Sequence, residues 1–291
     1  MPIAALGLIL VAAFLHAVYN FLIKSSRDVI AFFWWTVAFG TVGYGCWLLA
    51  GPGIFLSRHS IPYFLVGAAA ELGYFLTLVR GYAHGDLSVV YPISRGSPPL
   101  FLAAWSALFL SERLPPAGYV GIGIAAAGIY LTSLVPAGNG RVRFAGVARS
   151  LREPATLWAL ASGVFISIYS LADKVAVVST PPLVYNFWVY GGNTVLWGLA
   201  VWRPGRTRKN VSQLFASPAR IILGALATVG AYAAVLTALT MTSASYVVAG
   251  RGLSVVIGAL LGTFALAEGF GGLRIAGAAL TVVGTALMVL A

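Results

Sequence analysis

Two arginines set inside long apolar runs are the residues of this chain best placed to do chemistry. Arg95 lies within LSVVYPISRGSPPLFLAAWSALFLSER (Leu87 to Arg113) and Arg251 within YVVAGRGLSVVIGALLGTFALAE (Tyr246 to Glu268). An arginine at the centre of a membrane helix costs about 2.5–3.5 kcal/mol on insertion scales, so it normally faces a bundle interior or a wet cavity. Its bidentate fork suits a carboxylate or a phosphate. Gly96 follows the first arginine, Gly250 and Gly252 flank the second, and Pro92, Pro98 and Pro99 crowd the first run. Gly96, Pro98, Gly250 and Gly252 are therefore expected as helix-break or gating positions, where unwound backbone can line a cavity. The bland alternative for either arginine is snorkelling or pairing with a helix C-terminus.

Other polar residues stand in the apolar runs with helical spacing. Glu71 is read as the one acidic residue deep within a span, able to bind an ammonium, to pair with an arginine, or to take up and release a proton. His16, Asn20 and Lys24 stand at i, i+4 and i+8 on one face, and His16 is the second proton-coupling candidate. A single hydrogen bond between helices would also explain that histidine. Asn186, Tyr190 and Asn193 form a comparable stripe, while Tyr91 and Tyr232 are candidate aromatic walls. Packing is the competing explanation for each of these. Glu112 and Glu268 read as surface ion-pairing groups at helix ends, and Lys24 and Lys174 as snorkelling anchors. Two deep arginines against one deep glutamate leave a positive surplus, which favours a substrate with an anionic group.

The elements that hold these residues follow from composition. With 60% hydrophobic residues, 9% charged residues and a mean hydropathy of +0.92, the chain lies outside the range of soluble domains, which carry about 25% charged residues. Apolar spans of helix length recur throughout, and the short alternating segments of a porin-like barrel are absent. A net charge of +11 would suggest nucleic acid in a soluble protein, but most cations fall between spans as orientation signals, so no nucleic-acid partner is expected. The single cysteine, Cys46, allows no intrachain disulfide, and no metal-ligand spacing or cofactor motif is present. The opening MPIAALGLILVAAFLHAVYNFLIK lacks a basic leader and reads as the first span.

Apolar runs and their breaks predict an all-α integral membrane protein with ten helices, at about 3–23, 29–50, 61–83, 87–110, 117–135, 157–178, 183–202, 219–240, 244–267 and 270–290. A shift of 150 residues superposes Tyr19 on Tyr169 and Lys24 on Lys174; a shift of 156 superposes Arg95 on Arg251, Gly96 on Gly252, and Glu112 on Glu268. The expected organisation is a first five-helix repeat at 1–136, a basic connecting loop at 137–156 and a second repeat at 157–291. Five spans are an odd number, so the second repeat enters the membrane inverted, a layout typical of secondary transporters with a midplane site. At the equivalents of His16, Asn20 and Glu71 stand Ile166, Ser170 and Ala227, so these polar residues break the symmetry. Of the 18 cations, Arg58, Arg113 and Lys174 fall on one face, two lie within spans, and the remaining thirteen share the other face. The positive-inside rule places that richer face in the cytoplasm and both termini outside.

A lysine closing the first helix of each copy, a glutamate closing the fourth, HAVYNFLIK at His16 to Lys24, SER at Ser111 to Arg113 and Gly-rich fifth helices resemble the EamA-type branch of the drug/metabolite transporter superfamily. The resemblance covers nearly the whole chain and rests on the duplicated layout. It implies a ten-helix metabolite exporter in the cell inner membrane, with amino-acid efflux a known activity and with cytoplasmic termini, the reverse of the charge count. An amino acid would satisfy both signs, its carboxylate on arginine and its ammonium near Glu71. Phosphorylated or dicarboxylate metabolites are the alternative cargo. A polytopic membrane enzyme or a receptor is the alternative class, although no HExxH or paired acidic motif supports catalysis. Expected partners are a small-molecule substrate, the bilayer and protons, with monomer and homodimer both open.

Overall fold

A computed structural model of the chain describes residues 1–24, 26, 28–84, 87–133, 153–202, 207–254, 256–257 and 272–291. Its described residues form helices α1 (Ile3–Lys24), α2 (Val29–Ala50), α3 (Ile61–His84), α4 (Leu87–Gly96), α5 (Pro98–Phe109) and α6 (Pro116–Ser133), then α7 (Pro154–Ser179), α8 (Pro182–Val201), α9 (Thr207–Ala216), α10 (Pro218–Met241), α11 (Ala244–Arg251) and α12 (Gly272–Leu290). Local chemistry explains many of these starts. Asp28 caps α2 by accepting from the Ala31 amide at 3.0 Å. Proline opens α5, α7, α8 and α10, where its missing N–H would have no partner anyway.

Helices α1, α2, α3, α7 and α10 are long and apolar enough to cross a membrane, and α6 and α12 contain shorter apolar stretches. Their outer faces are greasy: Leu108, Leu199 and Leu226 are 70%, 75% and 68% exposed. A soluble protein rarely presents such a surface.

Helix α1 packs on α10, α3 on α7, α2 on both α8 and α10, and α6 on α12. The last pair approaches closely through small residues. A Cβ built on Gly121 would lie 2.8 Å from the Gly284 carbonyl, and one on Gly284 would lie 2.6 Å from the Gly121 carbonyl. Small-residue contact of this kind is how helices associate where lipid gives no hydrophobic drive.

Two departures from the expected elements stand out. Residues 203–217, read as a polar connection, contain helix α9, whose Leu214 packs against Leu22, Phe32 and Ile221. Its polar sequence hid that docking face. The run at 87–110 is divided into α4 and α5: Ser97 still donates to Ile93 at 3.1 Å, but Pro98 has no N–H to continue the ladder. The basic connection at 137–152 and Glu268 lie outside the described residues.

Candidate functional site

A cavity of about 300 Å³ occupies the centre of the bundle. Arg95 from α4 and Arg251 from α11 both line it, as do Glu71 from α3 and His16 and Asn20 from α1. Tyr190 and Asn193 from α8 and Tyr232 from α10 complete the polar wall. Eight of the ten candidate binding residues thus meet in one chamber. A smaller space of about 40 Å³, lined by Pro98 and Gly252 with both arginines, adjoins the division between α4 and α5.

The two arginines are held in similar ways. Arg95 lies over the Tyr74 ring at 5.7 Å and donates to the Tyr74 hydroxyl at 3.1 Å. Arg251 lies over the Tyr232 ring at 5.9 Å and contacts Nε2 of His16 at 3.3 Å. A guanidinium over an aromatic face is attracted by the ring quadrupole. The other ring nitrogen of His16, Nδ1, lies 2.8 Å from the Ala12 carbonyl. Both contacts are satisfied together when Nδ1 carries the proton and Nε2 accepts from Arg251. In that tautomer His16 orients Arg251. Asn20 donates to the His16 carbonyl at 2.7 Å, and Tyr190 donates to the Thr228 carbonyl at 2.8 Å.

Two candidates fall elsewhere. Asn186 is fully buried but is absent from the cavity wall, and its Nδ2 donates to the Val229 carbonyl at 3.1 Å, tying α8 to α10. The side chain of Tyr91 lies outside the described residues. Gly250 lies within α11, and the Gly252 amide donates to the Ala249 carbonyl at 3.0 Å, tightening the turn after that helix.

The structure corrects two readings. Glu71 is not the one deep acid: Asp173 on α7 is 3% exposed and accepts a hydrogen bond from Tyr232. Neighbouring residues of a helix point about 100° apart, so Asp173 turns inward while Lys174 turns along the bundle end. Lys174 is no snorkelling anchor, since its Nζ donates to the carbonyls of Leu239 and Thr242 at 2.7 and 2.8 Å at the end of α10. The same Nζ lies 3.7 Å from Glu112, so the ion pair expected of this glutamate is made across helices. Sequence reasoning also overlooked Tyr19, Tyr74 and Tyr169, which line the chamber. The match of Tyr19 with Tyr169 was the signal that could have found two of them.

One end of the bundle is tied by side-chain contacts between helices. Lys174 and Glu112 meet there, and Ser60 donates to the Ala176 carbonyl at 2.9 Å while Thr180 donates to Ser60 at 2.8 Å. The cavity extends the other way, past Phe33, Phe75 and Trp197 to Ile23, Leu78 and Val201.

An apolar helical bundle built round a polar chamber defines a multi-pass membrane protein with a solute-sized site. The sequence matches the EamA-like transporter family over residues 3–134 and again over 154–290, and the chain belongs to that family. It is accordingly a transporter of the drug/metabolite type. No curated protein matches the sequence. A solved structure described only as "Crystal structure of protein" superposes with a TM-score of 0.74 over 100% of this chain and 98% of its own, at 20% identity. That likeness shows the fold alone.

Proposed function

We propose that this protein is a secondary active transporter, working as an exporter, of small zwitterionic or anionic metabolites, amino acids first among them. The observation that carries the proposal is the shared chamber, where two arginines and a glutamate face one space of about 300 Å³. That volume lies at the lower end of the roughly 300–1,000 Å³ typical of small-molecule sites. A substrate carboxylate would bind the guanidinium groups of Arg95 and Arg251, and its ammonium would bind Glu71. Phe33, Phe75 and Trp197 offer apolar surface for a side chain.

Transport would proceed by alternating access between two inverted five-helix halves, ten crossing segments in all. The pairing of α1 with α10 and of α3 with α7 is the exchange that a two-fold relation between the halves would produce. The open end carries Arg80, over the Trp158 ring at 5.1 Å, and Arg220, which donates to the Leu22 carbonyl at 3.3 Å. The positive-inside rule would put that end in the cytoplasm. The protein would then sit in the cell inner membrane with its cavity facing inward.

Counterflow of labelled amino acids in proteoliposomes tests the proposal. Exchange by wild type that Arg95→Ala and Arg251→Ala sharply reduce is expected. No movement of any amino acid, organic acid or phosphoester would refute it.

A further inference from the structure

A second, much smaller chamber lies behind the first. It measures about 10 Å³ and is lined by Gly67, Glu71, Tyr169, Asp173 and Tyr185 where α3, α7 and α8 meet. One water needs about that volume. Glu71 borders both chambers. Oδ2 of Asp173 accepts from Tyr232, while Oδ1 and the Tyr185 hydroxyl both approach Gly67. A Cβ on that glycine would lie 3.8 Å from Oδ1 and 3.7 Å from the hydroxyl. Tyr185 is 0% exposed, and its hydroxyl faces the Asp173 carboxyl without a hydrogen bond of regular geometry among the described residues. Buried polar groups are paired with good geometry in nearly all native proteins, so a loosely held hydroxyl and carboxyl beside a water-sized gap point to an occupant between them.

We propose that this chamber is the coupling site, holding one proton that moves between Glu71 and Asp173. The inference rests on reading the larger cavity as the transport site. A substrate ammonium arriving at Glu71 competes for that carboxylate. The O–H bond on Glu71 breaks as one forms on Asp173, carried through a single water beside Tyr185, and the charge of the acid pair is conserved in that step. With cargo bound, the proton leaves Asp173 to water on the loading face; once the cargo is released on the other face, the emptied pair takes up a proton there and carries it back, so cargo and proton travel in opposite directions.

The groups facing the pair suit this task. Helix α11 brings Arg251 and α4 brings Arg95, which draw negative charge to the pair; α5 brings no titratable side chain. Tyr185 and Tyr190 from α8, Tyr232 from α10 and Tyr169 on α7 itself are the other titratable neighbours among the described residues. His16 is a poorer carrier, because both its ring nitrogens are already engaged. A hard metal cation wants about six to eight oxygen ligands, more than this small chamber offers.

The test uses the full chain in proteoliposomes with a labelled amino acid and two readouts. Counterflow without any ion gradient reports the cavity; accumulation driven by an imposed pH gradient reports the chamber. Asp173→Asn is expected to lose gradient-driven accumulation while counterflow persists. Gly67→Ala, whose methyl meets its neighbours only at ordinary contact distance, fills the gap and is expected to uncouple in the same way should the asparagine variant fail to fold. Accumulation equal to wild type in both variants would overturn the proposal. So would a wild type driven by sodium and indifferent to pH. Absence of counterflow in wild type would instead remove the transport reading beneath it.

Discussion

The contact between α3 and α7 and the contact between α1 and α10 are made by corresponding helices of the two family-matched segments, yet acids occupy only one of them. Glu71 and Asp173 stand at the first; the same offsets place Ala227 and Ile23 at the second. By contrast, the arginines are shared out evenly, one per segment, and each lies over a tyrosine from the third long helix of a segment: Tyr74 on α3, Tyr232 on α10. In the proposed site each matched segment therefore contributes one arginine to the positive pole, and the negative pole stands on one side only. A molecule with distinct ends needs such a lopsided chamber, since a symmetric one would bind it equally well in two orientations.

Forcing symmetry should do the greatest damage. Ala227→Glu places a carboxyl without a partner in the packed interior of α10, where Ala227 is 3% exposed. An uncompensated buried charge costs about 3–5 kcal/mol, and the expected outcome is a clear fall in melting temperature of the purified protein. Removing the shared pole comes next. Arg251→Ala or Arg95→Ala takes away hydrogen bonds to charge worth about 1.5–3 kcal/mol, so kcat/KM for an amino acid should drop about 10- to 150-fold in initial-rate assays.

Glu71→Gln should act more selectively. It keeps the size and loses the charge, so KM for an amino acid rises about tenfold or less, by the lower end of the same range, while the matching deaminated acid is unaffected. Equal effects on both probes would show that Glu71 does not meet the ammonium. Smallest of all, Asn186→Ala removes one neutral hydrogen bond, to Val229, worth about 0.5–1.5 kcal/mol. It should lower melting temperature slightly and leave KM where it was, because Asn186 is no part of the cavity wall.

The strongest features of the site were legible because a charge inside an apolar run is rare and costly. Arg95, Arg251, Glu71 and His16 stood out for that reason. Asp173 did not, since the adjacent Lys174 made the pair look like the polar end of a helix; α7 runs on to Ser179. Asn186 shared a helical stripe with Tyr190 and Asn193, but spacing cannot say where a stripe leaves the cavity and begins to serve packing. One turn sufficed here: Tyr190 lines the chamber, and Asn186 turns to α10. The long apolar helices were readable from length and composition. Helix α9 was not, because among its described side chains only Leu214 and Gln213 mark a buried side within a polar run.

The most direct test compares thermal stabilisation of the detergent-purified protein by an amino acid, its decarboxylated amine and its deaminated acid. A ligand raises melting temperature in proportion to its preference for the folded state. The amino acid should stabilise most, with Arg251→Ala erasing the response to the acid and Glu71→Gln the response to the amine. Equal shifts from all three probes, or variants that respond as wild type does, would contradict a chamber that grips the two ends of a zwitterion.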